Sequence, residues 1–301
     1  MNNNQKSLLI ALLITLLIFF VELIGGFISN SLALVSDAGH MLTDSMALGM
    51  ALGAVFFAAR PATTKRTFGF YRIEILAALL NGSLLFLVAF YIFYEAYLRF
   101  MHPAEVRSLL MLGIALIGLV ANLVGAFFIS HGSKENLNIR AAFLHVISDA
   151  VSSVGVIAGG VIIYFTHWYV VDPILGIMIG ILILRGAYGL VKEASDILLE
   201  SIPRGIKFEE VAEEIKKVKG IVGIHDLHIW TLTSGINAIS AHLLIRDEMT
   251  DEAAKILDEV KRHLANKYDI KHCTFQTECE SCPEGIICKM EPEEREEEHR
   301  H

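Results

Sequence analysis

The feature that most constrains this chain is a set of six apolar runs, each long enough to cross a lipid bilayer as a helix. A hydrocarbon core of ~30 Å needs about 20 helical residues, and the runs 7–29, 32–59, 73–98, 109–130, 141–165 and 169–191 all qualify. The 54% hydrophobic content and mean hydropathy of +0.53 are too apolar for a chain that folds in water throughout. The first two-thirds is therefore read as membrane. MNNNQK and the first run lack a cleavage-site pattern and are too long for a signal-peptide core, so that run reads as a retained span. An even number of spans puts both termini on one side. The connections on that side carry Lys6, Arg60, Lys65, Arg66, Arg72, Lys134 and Arg140, against Arg99 and Arg107 on the other. The positive-inside rule then places both termini in the cytoplasm.

Two of the runs hold residues that a bilayer excludes. The second contains SDAGHMLTDS, with His40 and Asp44 four apart and so on one helical face. The fifth contains AFLHVISDAV, with His145 and Asp149 at the same spacing. An ionisable side chain at the centre of a membrane helix costs at least ~2.5 kcal/mol unless it is partnered. One such pair reads equally well as a structural hydrogen bond. Two copies need a common partner, and a divalent cation satisfies all four groups. Two carboxylates and two neutral imidazoles balance its charge, and an N2O2 set suits tetrahedral Zn2+, with Co2+ and Cd2+ as relatives. The empty site would take up protons instead, so metal and protons compete for the same side chains. Asp37, three residues before His40, reads either as a group fixing the imidazole tautomer or as a group near the aqueous entrance. Gly176 and Gly180 form a GxxxG pair that would let another helix approach closely.

After Pro203 the pattern becomes that of a small water-soluble domain. Phe208, Val211, Ile215 and Val218 recur at helical spacing, and Gly220 and Gly223 are expected to break the helix. IHDLHIWTL and INAISAHLLI read as strands joined by a turn at Thr233, Ser234 and Gly235. A second helix opens at Asp251 and Glu252, and a last strand runs from His272 to Glu278. The order α-β-β-α-β suits a ferredoxin-like sandwich. The expected fold is thus an α-helical membrane protein, with six transmembrane helices in residues 1–200 followed by a cytoplasmic ferredoxin-like α+β domain in 201–285. The acidic tail 286–301 is too polar to pack and is expected to be disordered. Cys273, Cys279, Cys282 and Cys288 all lie beyond the spans, where a cytoplasmic location keeps thiols reduced. A single CxxC, with His272 and Cys273 beside it, leaves a plain thiol tail and metal sensing both open. Trp230, on an apolar strand, is expected in a core or a dimer interface. The net charge of -8, without a basic cluster, gives no sign of nucleic-acid binding.

Taken together, the paired HxxxD motifs, the runs SLALVSDAGHMLTD and FGFYRIEILAAL and the strand IHDLHIW resemble the cation diffusion facilitator family over residues 7–280. The resemblance implies a homodimeric, bacterial cytoplasmic-membrane exporter of Zn2+, Cd2+ or Co2+, driven by inward H+ flow and in some members K+ flow, with no prosthetic group. It assigns His40, Asp44, His145 and Asp149 to the transport site. It places Arg72 and Glu200 at a charge interlock between the third span and the linker to a metal-sensing, dimerising domain. It also matches His225 and His242 to a cytoplasmic regulatory site, with Glu278 on the third strand. Two departures stand out. The connection 60–72 has neither His nor acid, and Gln276 precedes Glu278 where a His-x-Asp arrangement would complete a binuclear site. An intramembrane zinc-dependent hydrolase and a metal sensor that does not transport are the competing readings. Four protein ligands would close the coordination sphere that hydrolysis needs open.

Overall fold

The computed structural model describes residues 3–58, 62–130, 137–246, 252–278 and 286, with the side chains of 3–8, 10, 11, 51, 52, 54–58, 128–130 and 137–145 left outside the description. It divides into two compact units, Met1–Ala194 and Ser195–His301.

The first unit is helical: α1 (Asn3–Ser29), α2 (Leu32–Ala58), α3 (Tyr71–Met101), α4 (Ser108–Ser130), α5 (Leu137–Thr166) and α6 (Val171–Leu198), the last running on into the second unit. Helices α3 and α6 extend beyond their apolar runs. Hydropathy marks where the bilayer ends, whereas a helix continues until its backbone is capped. Five of the six are long and apolar enough to span a membrane by their described residues, and α2, which carries Asp37, His40 and Asp44, is the sixth.

Helices α1 and α2 form an antiparallel hairpin whose turn residue, Asn30, adopts φ 56°, a left-handed conformation that Asn tolerates. The hairpin is tight because Gly26 has no side chain: a Cβ there would lie 2.9 Å from the backbone N of Val35. Helix α1 packs on α2 and α4, α4 on α5, and α2 on α5 and α3. Helices α1, α2, α4 and α5 thus close a ring, with Leu32, Leu34, Leu85, Ile92, Met111 and Ile163 fully buried in the unit's core. Leu17, Leu87, Phe127 and Phe165 point outward, as lipid-facing residues do. The Gly176/Gly180 pair serves two neighbours: a Cβ at Gly176 would meet Leu32 of α2, and one at Gly180 would meet Phe93 of α3, each at 2.9 Å.

The second unit contains α7 (Phe208–Lys216), β1 (Ile221–Thr233), β2 (Ile236–Ile245), α8 (Ala253–Tyr268) and β3 (Ile270–Glu278). Strands β1 and β2 pair antiparallel through a turn in which Gly235 takes φ 76°; β3 returns by way of α8 and pairs parallel to β2. Val211 and Ile215 of α7, with Ile256, Val260 and Leu264 of α8, cover Leu227, Ile229, Ile239 and Leu243 of the sheet. This is the expected α-β-β-α-β order. Gly220, at φ 103°, makes the turn out of α7, but Gly223 breaks nothing. It lies inside β1 at a register shift, where strand pairing absorbs the missing side chain. Ile286, assigned to the tail by composition, packs on this core, and its carbonyl accepts the Leu227 N–H at 3.0 Å. Asp251, Cys279, Cys282, Cys288 and the remainder of 286–301 lie outside the described residues.

Candidate metal centre

Helices α2 and α5 pack side by side, and the helical repeat turns the polar face of each toward the other. On α2, His40 and Asp44 leave the same face one turn apart; on α5, Asp149 faces them. His40 Nε2 lies 3.4 Å from Asp149 Oδ1. One ligand atom from each of His40, Asp44 and Asp149 falls within 4.8 Å of the other two. A tetrahedral Zn2+ with bonds of about 2.0–2.1 Å sets its ligand atoms about 3.3 Å apart, so the His40 to Asp149 separation already has that size. The backbone of His145 lies on α5 one turn before Asp149, and its side chain is outside the description. Asp37 is not at an aqueous entrance: it is 5% exposed, and Ser152 Oγ on α5 donates to its Oδ1 at 2.7 Å. It ties α2 to α5 from within.

The start of α2 is fixed by a group that hydropathy and motif spacing do not single out. Asp172, at the start of α6, accepts hydrogen bonds from Ser31 Oγ at 2.6 Å, Leu32 N at 2.7 Å and Ala33 N at 3.1 Å. It caps α2 from another helix, satisfying N–H groups that have no partner within α2. Arg99 pairs with Asp172 at 3.1 Å, with Glu95 at 3.0 Å and with the Asn30 carbonyl at 2.7 Å. In the sequence Arg99 counts only as a loop charge.

Glu22 on α1 is a second such residue, outside both HxxxD motifs. It is 1% exposed, and its Oε1 lies against Gly118 of α4. The signal is present in FFVELIGG, an acid inside an apolar run, which is the criterion that singles out the second and fifth spans. Asn81 of α3, also 1% exposed, gives no such signal because amides are common in membrane helices.

A second cluster lies on the sheet. The register sets His225 of β1 directly across from His242 of β2, and β3 brings Glu278 alongside. His225 Nε2 is 2.7 Å from Glu278 Oε2, and His242 Nδ1 is 2.8 Å from Glu278 Oε1. Ligand atoms of these three residues also lie within 4.8 Å of one another. Burial pushes the Glu278 carboxyl upward, yet the hydrogen bond from His225 and the charge of the two imidazoles hold it below its usual range. Gln276 donates to Glu278 at 2.8 Å and so orients the carboxylate. A bulge between His225 and His228 puts Asp226 at φ 50°, where its carboxylate lies 3.1 Å from His228 and 3.7 Å from His242. Period-two reading of β1 cannot anticipate that side chain, because a bulge reverses the facing of the residues beyond it. Trp230 is half-buried beside Phe208, Ile202 and His228. Cys273 is free and its thiol is raised by burial. Arg72 opens α3 in the first unit, and Glu200 follows α6 in the second at φ 57°.

Residues 8–199 match the cation efflux transmembrane domain, and residues 203–280 match the cytoplasmic domain of cation efflux proteins. The chain is 45% identical over 282 residues to the metal cation efflux system protein CzcD of Cupriavidus metallidurans, covering 94% of this chain and 89% of that one. It is 44% identical over 303 residues to a Bacillus subtilis protein named as a cadmium, cobalt and zinc/H(+)-K(+) antiporter, covering 99% and 97% of the two chains. It is 38% identical over 291 residues to the zinc transporter ZitB of Escherichia coli, covering 96% and 92%. With both domains matched in order and such relatives aligned over almost its whole length, the chain belongs to the cation diffusion facilitator family of cation efflux proteins.

Proposed function

We propose that this protein exports Zn2+, Cd2+ or Co2+ from the cytoplasm in exchange for protons, holding the ion between α2 and α5 on His40, Asp44, His145 and Asp149. The observation that carries this reading is the convergence of His40, Asp44 and Asp149 from two helices onto one ion-sized space. Two carboxylates neutralise a divalent ion in a medium that penalises net charge, and protons replace the ion when it leaves. The relatives named as efflux proteins and as an antiporter support the direction and the exchange, and one of those names extends the counter-ions to K+.

In this reading the protein is a homodimer in a bacterial cytoplasmic membrane, with both termini in the cytoplasm. Residues 1–200 form the transport domain, and His225, His242 and Glu278 bind a regulatory ion in the domain 201–285. That ion shifts the transmembrane unit only through a different affinity for its two conformations. Arg72 and Glu200 act as a charge interlock between the third span and the linker that follows the sixth. The test is 65Zn uptake into everted vesicles under an imposed pH gradient, compared with Cd2+, Co2+ and Mn2+. Uptake by Asp44→Ala and Asp149→Ala at the rate of the unaltered protein would refute the site. Metal binding without accumulation would leave a sensor in place of a transporter.

A further inference from the structure

Glu22 is a buried ionisable group of the bundle that the four proposed ligands leave without a role. The hairpin turn at Asn30 gives its depth. Eight residues before the turn and seven after it, at about 1.5 Å per residue, Glu22 and Asp37 sit at nearly the same level, about 11–12 Å in. Glu22 Oε2 is buried and has no hydrogen-bond partner among the described residues. Oε1 faces Gly118 of α4, where a Cβ would occupy its place, and Ser153 Oγ of α5 lies 3.8 Å from that same point. The absence of a side chain at Gly118 is therefore what makes room for this carboxylate.

The ionisable groups around Glu22 are carboxylates and imidazoles. On α2 the ionisable residues are Asp37, His40 and Asp44; α4 contributes none; α5 contributes Asp149, with His145 one turn earlier. Asp149 lies one turn before Ser153 on α5, and Asp37 stands on α2 at the depth of Glu22. No Lys or Arg occurs among the described side chains of α1, α2 or α4. A buried carboxyl with no Lys or Arg near it and one oxygen undonated is better accommodated as the neutral acid. A divalent ion arriving on the neighbouring ligands reverses the local field and favours the anion.

We propose that Glu22 carries one of the exchanged protons. It is neutral while the metal site is empty, loses its proton to the cytoplasmic side as the ion binds, and regains one from the opposite side as the ion leaves. No covalent bond other than O–H forms or breaks, and the charge moved by the proton offsets part of the charge moved by the metal. Glu22 coordinates nothing; it lies beside the ligands and senses their occupancy. The inference rests on the exchange reading above.

The experiment is calorimetric titration of Zn2+ into the purified full-length protein, run in buffers of different ionisation enthalpy so that protons released per ion are counted. Glu22→Gln, which imitates the neutral acid, should bind Zn2+ with Kd within about threefold of the unaltered protein while releasing about one proton fewer. The pH dependence of Kd should then weaken by about tenfold per pH unit. Protons from the His225, His242 and Glu278 cluster are common to both proteins and cancel in the difference. Glu22→Asp, which restores an ionisable group, should restore the proton. Equal proton release by Glu22→Gln and the unaltered protein overturns the role of Glu22 and leaves the exchange reading intact. If the unaltered protein releases no protons at all, both fall. Should Glu22→Gln not fold, Glu22→Met, uncharged and of similar length, provides the same count: unchanged release there also overturns the proposal.

Discussion

The two candidate ion clusters use the same chemistry on different supports. In the first unit, His40 and Asp44 of α2 face Asp149 of α5, and these helices are joined by side-chain contacts such as Ser152 to Asp37. In the second, His225, His242 and Glu278 stand on three neighbouring strands whose backbone hydrogen bonds fix their spacing. Helices can slide or tilt against one another at the cost of repacking, whereas a strand can shift only by breaking its whole ladder. A cluster between helices can therefore release an ion to either side, and one on a sheet is suited to holding it. The environments differ accordingly: the Asp149 side chain is 11% exposed in an apolar bundle, while that of Glu278 is 24% exposed.

The largest effect that would sharpen this contrast is expected at Asp149. Asp149→Ala should lower vesicle uptake of 65Zn at least ~100-fold, since it removes a proposed ligand and not merely a ligand's support. Binding at the sheet cluster, followed by calorimetry, should be untouched. Next comes Asp172, which belongs to the helical side of the comparison because it fixes where α2 begins. Asp172→Ala leaves the Arg99 guanidinium without its buried carboxylate and should cost ~3–5 kcal/mol, read as a lowered Tm of the detergent-solubilised protein. If the Tm is unchanged, α2 is held by packing alone.

His242→Ala removes one partner of Glu278 on the sheet. Transport should fall about fivefold, the scale of a coupling between distant sites, with KM for Zn2+ little altered. A loss as large as that of Asp149→Ala would erase the distinction between a holding cluster and a moving one. The smallest effect concerns neither cluster but the frame of the second unit. The hydrogen bond from Lys267, and then that from Lys217, hold Glu214 down at about 2. Its folded value lies below the ordinary carboxylate range, so the contribution of these contacts is complete above about pH 4.5 and fades as pH falls toward about 2. Glu214→Gln should therefore unfold the second unit at lower urea than the unaltered chain at pH 7, with the gap narrowing below pH 4.5. Trp230 fluorescence in a Trp168→Phe background reports it. The effect is small because water screens these side chains.

How far the sequence can be read depends on how local each signal is. HMLTDS and HVISDA declare themselves, because an ionisable pair inside an apolar run is conspicuous whatever the fold. The period-two and helical patterns after Pro203 likewise carry the α-β-β-α-β order. Asp172 and Arg99 lie near the ends of their apolar runs, where charges are ordinary, and only packing shows that they meet over the first turn of α2. Asp226 owes its position to a bulge that no propensity marks. Asp37 is ambiguous on α2 alone, since one helix cannot tell a buried partner from an aqueous entrance; Ser152 on the neighbouring helix decides it.

By itself, then, the sequence determined the membrane character, the sandwich order of the second unit and the candidate metal ligands, because these follow from hydropathy, periodicity and side-chain chemistry along the chain. Only the tertiary structure decided that Asp37 is buried, that α2 is capped by Asp172, and that Glu22 is enclosed against Gly118. Each of those is a contact between residues far apart in sequence, set by which helices lie side by side, and helix pairing leaves no periodic trace in a single apolar run.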